Sequence, residues 1–317
     1  MRTISVIIPT YGRADSLGAT ISSLLAQSYC PLEILVIDQN AIGWLQTELP
    51  LSDPRVHYIH SSEPNASRAR NLGYLLSKGE LLFFIDDDLV MEPNTLELAA
   101  QGCERYDWLG AFCPVIVTDR ADYETSLQSL KTKELGTAPD HDYFPIRDTI
   151  SAAMFFKRET YAETGGFDEL LFRFAGTAED QELCWRMRLR GLSLYIDSRL
   201  SVYHDEGVEG GCELRVKPYW VTRRKIVRAL VMRTRLHARG EIRMRDWLQL
   251  MRSSWMNREL ISRSPSWAPK NLSLVADAVK ESKEAIDQYH LLKPDVLTIN
   301  HLGRLQSEMT SEALNDD

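Results

Sequence analysis

The chain has 317 residues, 44% of them hydrophobic and 26% charged, and a net charge of -8, the profile of a soluble protein with room for one large domain and an appendage. Its five cysteines (Cys30, Cys103, Cys113, Cys184, Cys212) are scattered without a C-x-x-C pair, which argues against a disulfide framework or a structural zinc site and for a reducing compartment. The apolar run at the start meets Pro9 too early for a secretory leader, and no apolar stretch reaches the ~18 residues that span a bilayer, so the expectation is a cytoplasmic protein without a transmembrane span.

Through the first half, apolar runs of strand length alternate with helical periodicity, the pattern of a parallel sheet with crossover helices. ISVIIP (4–9) reads as the first strand. A helix follows, capped by Asp15 or Ser16, with Leu17, Ile21, Leu24 and Leu25 on one stripe. EILVID (33–38) and RVHYIH (55–60) read as strands, SRARNLGYLLSK (67–78) as a helix, ELLFFID (80–86) as a buried strand, and Pro93 as part of the first turn of a helix over 94–106. WLGAFCPVIV (108–117) is another strand. Residues 119–148 show no period and read as a long irregular excursion of the kind that shapes a cleft. AAMFFKR (152–158), a helix over 178–190, and the strands LSLYID (192–197) and LSVYH (200–204) complete the body, taken as residues 1–212. Residues 213–317 read as basic helices, a helix over 274–289 and a frayed polar tail.

The run LLFFIDDDLV (81–90) drives five apolar residues into three aspartates. Adjacent carboxylates repel unless something positive sits among them. In open α/β sheets ligands bind beyond the carboxyl ends of the strands, which is where this cluster falls. If extended geometry persists, Asp86 and Asp88 share one side and Asp87 faces the other. Two carboxylates on one side suit Mg2+ or Mn2+, hard ions that leave positions for phosphate oxygens. Neither a G-x-G-x-x-G nor a P-loop motif is present, so an anion here would be held through a metal and arginines.

VIIPTYGR, ILVIDQN, NASRARNLG, FFIDDDL, AAMFFKRETYAETGGFDE and AEDQELCWRMRLRG, in this order over residues 4–205, resemble the family 2 glycosyltransferases. The resemblance implies a GT-A (Rossmann-like) α/β fold, a mainly parallel sheet flanked by helices, here with a C-terminal α-helical appendage. It implies a nucleoside-diphosphate sugar donor, of UDP type by preference, and a glycan or lipid-linked acceptor in surface polysaccharide assembly. Pro9, Thr10 and Tyr11 would line the base pocket, with Tyr11 stacking on the base. Asp38 would accept a hydrogen bond from the base and Arg70 would close the pocket. Asp86 and Asp87 would face ribose and diphosphate, and Asp88 would hold Mn2+ or Mg2+. Asp180 would be the general base on the acceptor hydroxyl, with Glu179 beside it and inversion at the anomeric carbon. His204 is open between a second metal ligand and an ordinary strand-end histidine. Trp185, off the Leu183/Met187 stripe, is open between an acceptor platform and core. Thr177 and Asp180 also have capping-box spacing.

Between Arg215 and Arg263 there are 14 Lys/Arg against Glu241, Asp246 and Glu259, a basic surface for an anionic partner on an acidic body. Arg223 and Arg224 suit a lid that clamps the diphosphate. Met244, Trp247, Leu248, Met251 and Trp255 form a helical stripe beside Arg243, Arg245 and Arg252, so residues 219–258 read either as a peripheral contact with the inner face of an anionic membrane or as a helix packed on the body. Two other functions compete: a sugar nucleotidylyltransferase, which lacks its glycine-rich basic turn here, and a silent carbohydrate-binding scaffold of the same fold. Nucleic acid is not an expected partner.

Overall fold

The computed structural model of the chain describes residues 1–41, 52–106, 110–117, 123–131, 141–146, 149, 151–175, 179–204, 276–284 and 287. Strands β1 (Ile4–Thr10), β2 (Leu32–Asp38), β3 (Val56–His60), β4 (Leu81–Ile85), β5 (Leu89–Met91), β6 (Ala111–Val117), β7 (Tyr143–Ile146), β8 (Ala153–Lys157) and β9 (Leu194–His204) form one nine-stranded sheet in the order β3-β2-β1-β4-β8-β6-β9-β5, with β7 on β9. Helices α1 (Ala14–Leu25), α2 (Ala66–Leu76), α3 (Thr95–Arg105), α4 (Tyr123–Lys131), α5 (Arg158–Thr164), α6 (Glu169–Ala175) and α7 (Glu179–Leu189) accompany it. A helical stretch over 276–284 lies within the expected 274–289.

The apolar runs are continuous because both faces of the sheet are covered. Alternate residues divide between two cores: Ile4, Val6, Ile8, Phe83, Ile85 and Phe155 enter one, and Ile7, Leu35, Ile37, Leu82, Phe84 and Phe156 the other. Each fully buried side chain of this size contributes about 1.5–3 kcal/mol. Across the centre, β4 and β8 pair Phe83 with Phe155, and β6 brings Phe112 opposite Phe155. The three rings stack, with centroids 3.8 Å and 5.0 Å apart. This ladder joins the parallel half, β3-β2-β1-β4, to strands of mixed direction.

The sheet is therefore mixed, since β8 runs antiparallel to both β4 and β6. Two reversals restore direction: β6 and β9 run parallel to each other and, by way of β8, to β4. The C-terminal ends of β1, β2, β4 and β9 and the N-terminal end of β8 consequently share one edge. That edge collects Thr10, Asp38, Asp86, Ser151 and His204.

Several elements differ from expectation. Helix α1 starts at Ala14 with Arg13 as its N-cap and no side-chain cap bond, so neither Asp15 nor Ser16 caps it. Helix α3 starts at Thr95, one residue beyond its N-cap Asn94, and Pro93 lies outside it. The two strands expected over 192–204 are one strand, β9, against which β6 shifts register between Pro114 and Val115. Residues 119–148 contain α4 and β7, and β5, α5 and α6 were not expected at all. Each of these is three to nine residues long, too short to show a period. Among the described residues no helix is long and apolar enough to cross a membrane. Cys30, Cys103, Cys113 and Cys184 are free thiols; Cys212, Thr177 and the basic stretch over 215–263 lie outside the described residues.

Candidate active site

The turn after β1 is shaped by Gly12, whose φ of 74° favours glycine. Asn40 clips this turn to the end of β2: its Oδ1 accepts from Gly12 N at 2.8 Å and its Nδ2 donates to Asp38 Oδ1 at 2.6 Å. The Asn40 backbone N–H also donates to that oxygen at 2.9 Å, and the Tyr58 hydroxyl donates to Asp38 Oδ2. Asp38 is fully buried, with both oxygens engaged. Asp38 also anchors the Tyr11-Gly12-Arg13 turn by way of Asn40. Pro9 and Thr10 are buried at the strand end, and Tyr11 is half-buried on the turn.

The three aspartates do not alternate. The chain leaves β4 after Ile85, turns at Asp87 and Asp88, and re-enters the sheet as β5 beside the end of β9. In a turn the two-residue periodicity of a strand is lost, so Asp87 and Asp88 share one cation while Asp86 takes another. Arg13 Nη1 lies 3.1 Å from Asp87 Oδ1 and 2.6 Å from Asp88 Oδ2, and Thr10 Oγ1 donates to Asp87 Oδ2 at 2.6 Å. Burial raises the Asp87 pKa to about 6, and the two flanking aspartates add to the rise against the lowering pull of Thr10 and Arg13.

Asp86 turns to Arg70. Helix α2 can press on β1 because Gly73 has no side chain: a Cβ there would stand 2.3 Å from Ile7 Cγ2. Three residues earlier, Arg70 is aimed at the strand ends, where Nη2 reaches Asp86 Oδ1 at 2.8 Å and Nη1 reaches Glu179 Oε1 at 3.1 Å. Burial opposes the Arg70 charge, but Asp86 and Glu179 outweigh it and raise its pKa. Asn71 makes the second anchor of this helix. Its side chain donates to Phe167 O and Glu169 Oε1 and accepts from Phe167 N and the Tyr161 hydroxyl, all at 2.8–2.9 Å.

At the N-terminus of α7, Glu179 and Asp180 are held by Ser151, two residues before β8. Ser151 N donates to Asp180 Oδ2 at 3.3 Å, Ser151 Oγ lies 3.4 Å from Glu179 Oε1, and Gln181 N donates to Asp180 Oδ1 at 2.6 Å. Glu179 is buried, whereas Asp180 is half-exposed and so within reach of a ligand. Burial, reinforced by Asp180, pushes the Glu179 pKa up to about 7 against the pull of Arg70. Trp185 is 38% exposed while Leu183 and Met187 are fully buried, so the indole belongs to the surface and the core reading is set aside.

The Leu89–His204 pairing of β5 and β9 brings His204 Nε2 to 3.3 Å from Asp88 Oδ1. That oxygen is buried and accepts no hydrogen bond. A bare carboxylate oxygen beside an imidazole nitrogen fits a divalent cation. Among the described residues no group of three His, Cys, Asp or Glu side chains is placed to hold one metal ion, and Asp88 and His204 are the two described donors that face each other.

Arg13, Ser151 and Asn40 were not foreseen as site residues. Arg13 had a signal: a cation at a helix start opposes the macrodipole unless an anion neutralises it. Ser151 and Asn40 had none. Arg223 and Arg224, the expected lid, lie outside the described residues.

A family model described as glycosyl transferase family 2 matches residues 5–165, about half of the chain. The glucosyl-dolichyl phosphate glucuronosyltransferase of Haloferax volcanii is 27% identical over 174 residues, which cover 52% of this chain and 56% of that protein. The O-antigen biosynthesis protein RfbC of Myxococcus xanthus is 24% identical over 244 residues, 69% of this chain and 18% of that one. Among solved structures, a mannosyltransferase from Pyrobaculum calidifontis in complex with GDP-Man and Mn2+ aligns with a TM-score of 0.54 at 14% identity, covering 99% of this chain and 81% of that one, a likeness of fold. The chain thus spans little more than half of the first relative and less than a fifth of the second.

Proposed function

The chain belongs to glycosyl transferase family 2 and has a GT-A-like fold, and on that premise we propose that it moves a sugar from a nucleoside-diphosphate sugar to a hydroxyl of a glycan or lipid-linked glycan in the assembly of a surface polysaccharide. The observation that carries this reading is the convergence at one sheet edge of Asp86–Asp88, His204 and the Glu179-Asp180 pair, tied together through Arg70. The O-antigen relative supports the polysaccharide setting, and the fold likeness to a protein complexed with GDP-Man and Mn2+ supports a nucleotide-sugar and a metal.

Asp88 and His204 would hold the divalent cation, Mn2+ or Mg2+, which when bound supplies Lewis-acid neutralisation of the leaving diphosphate. Tyr11, on the turn that Asn40 holds, stacks on the base, and Pro9 and Thr10 back it. Asp86 and Asp87 face ribose and diphosphate. Asp180 takes the proton of the acceptor hydroxyl: both its oxygens accept backbone N–H bonds, which orient it. A single base of this kind, attacking opposite the leaving group, inverts the anomeric carbon. Trp185, exposed on α7, is assigned to the acceptor. Arg223 and Arg224 are assigned to diphosphate closure, and residues 219–258 to contact with the acceptor's membrane.

The test is a panel of nucleoside-diphosphate sugars with Mn2+, read by thermal stabilisation and by slow donor hydrolysis. One donor should both stabilise the protein and be hydrolysed. A panel with no effect on either readout defeats the proposal.

A further inference from the structure

Helix α7 turns a charged face to the interior. Glu179, Glu182, Leu183, Arg186 and Met187, spaced i, i+3, i+4, i+7 and i+8, are all between 0% and 7% exposed. Burial of apolar surface is non-directional, so Leu183 and Met187 hold the helix against the body without fixing its position along the axis. Arg186 supplies directional bonds. Its Nε donates to Glu182 Oε1 at 3.0 Å and its Nη2 to Glu182 Oε2, while Nη1 donates to Thr164 O and, at 2.8 Å, to Gly166 O. Those two carbonyls belong to the turn that ends α5, where Gly165 and Gly166 have φ of 79° and 75°, and a helix C-terminus attracts a cation. The same turn grips α2, because Phe167 binds Asn71 through both its N–H and its carbonyl. Arg70, beside Asn71, meets Glu179 on the α7 face. Helices α2 and α7 are thus joined at two places. One contact alone would let α7 pivot, and the second, about 10 Å along its axis, removes that freedom.

Resting on the reading of Asp180 as the base, we propose that Arg186 is its positioning residue: by locking α7 to the glycine turn after α5, the guanidinium sets where the Asp180 carboxylate meets Ser151 N and the acceptor hydroxyl. Lysine keeps the charge, but one ammonium nitrogen lacks the planar fork that serves a carboxylate on one side and two carbonyls on the other. A displaced α7 loosens the bond from Ser151 N to Asp180 Oδ2. The turn after β1 depends on Gly12 N donating to Asn40 Oδ1 and on Asn40 N donating to Asp38 Oδ1, neither of which involves α7. Loss of Arg186 therefore acts on the base and spares the donor side.

The experiment compares site-resolved amide hydrogen exchange in the whole chain, wild type against Arg186→Lys, without ligand. Exchange at Ser151 should quicken about tenfold or more, while Gly12 and Asn40 stay within about twofold. Unchanged exchange at Ser151, or an equal rise at all three amides, overturns the role. Should Arg186→Lys fail to fold, Glu182→Gln, which removes the charge beneath Nε and Nη2, should give the same pattern, and unchanged Ser151 exchange in it overturns the role as well. Donor hydrolysis is then read with Mn2+ and UDP-GlcNAc or GDP-Man. Arg186→Lys should lower its rate about tenfold or more while the donor concentration for half-maximal thermal stabilisation stays within about twofold. In an Asp180→Asn background Arg186→Lys should cost nothing further, since the two act through one carboxylate, and the same loss in both backgrounds overturns the role. An Asp180→Asn chain that hydrolyses donor at the wild-type rate defeats the reading of Asp180 as the base instead.

Discussion

Arg70 and Glu179, 109 positions apart in the chain, form an ion pair in the interior, with 3.1 Å between Nη1 and Oε1 and side chains 3% and 9% exposed. The same guanidinium holds Asp86, so one arginine joins the end of β4 to the start of α7. It places the proposed donor carboxylates and the proposed base in fixed relation.

Removing Arg70 leaves Glu179 buried without its cation. Arg70→Met should lower stability by about 3–5 kcal/mol, the cost of orphaning one partner of a buried pair. Arg70→Met combined with Glu179→Gln should recover part of the loss. Urea denaturation of the three proteins checks this, and equal losses for the single and the double variant contradict it.

Glu179 makes stability depend on pH in a definite direction. Its pKa rises from the ordinary 4.5 to about 7 in the folded chain, so between these values the folded state keeps a proton that the unfolded state has lost. Its contribution is complete below about pH 4.5 and is lost as pH rises through about 7. Glu179→Gln should therefore flatten the decline of melting temperature across this window relative to wild type. A thermal-shift series on both proteins supplies the comparison, and parallel curves would refute the assignment.

Asp180→Asn preserves shape and one of the two backbone hydrogen bonds, since its amide nitrogen cannot accept, and it cannot take a proton. Transfer should fall by about 10²–10⁴-fold, the usual worth of a general base. Nucleotide binding should stay within error of wild type, and stability should fall by no more than about 1–3 kcal/mol, the cost of one lost hydrogen bond. Turnover above a tenth of wild type would remove Asp180 from the chemistry.

Chelation offers an independent probe of Asp88 and His204. EDTA should weaken nucleotide-sugar binding, and His204→Ala should raise the Mn2+ concentration needed to restore it. Calorimetric titrations insensitive to EDTA would mean that arginines alone hold the diphosphate.

Gly166 tests the clamp on α2. Its φ is +75°, and a Cβ there would stand 2.6 Å from Asn71 Oδ1, the oxygen that receives Phe167 N and the Tyr161 hydroxyl. Gly166→Ala should cost about 1–3 kcal/mol from backbone strain, with more from the displaced Asn71. Loss of activity should follow loss of stability, because Arg70 sits one residue before Asn71. A variant as stable as wild type would show that the turn can yield.

Periodicity carried the frame of this fold. The central strands and α1, α2 and α3 were legible because each buries enough apolar surface to impose its own pattern. The short elements were not legible: β5 is three residues long and exists only because β9 offers it an edge. The motifs NASRARNLG and AAMFFKRETYAETGGFDE carry the family resemblance. In the structure they also build a scaffold, with Asn71 satisfied by the backbone of Phe167 and room left by Gly166.

The amino-acid sequence alone determined which residues are apolar, where strands end in carboxylates, and the family that this order of motifs resembles, since these depend on neighbours along the chain. Only the tertiary structure decided that Asp87 and Asp88 share Arg13, that Asp86 belongs to Arg70, and that Asp38 takes Asn40 and Tyr58 as partners. A carboxylate takes its partner from whatever the fold brings within about 3 Å. That proximity arises from strand order and turn geometry, which link residues 75 or 109 positions apart and leave no trace in local spacing.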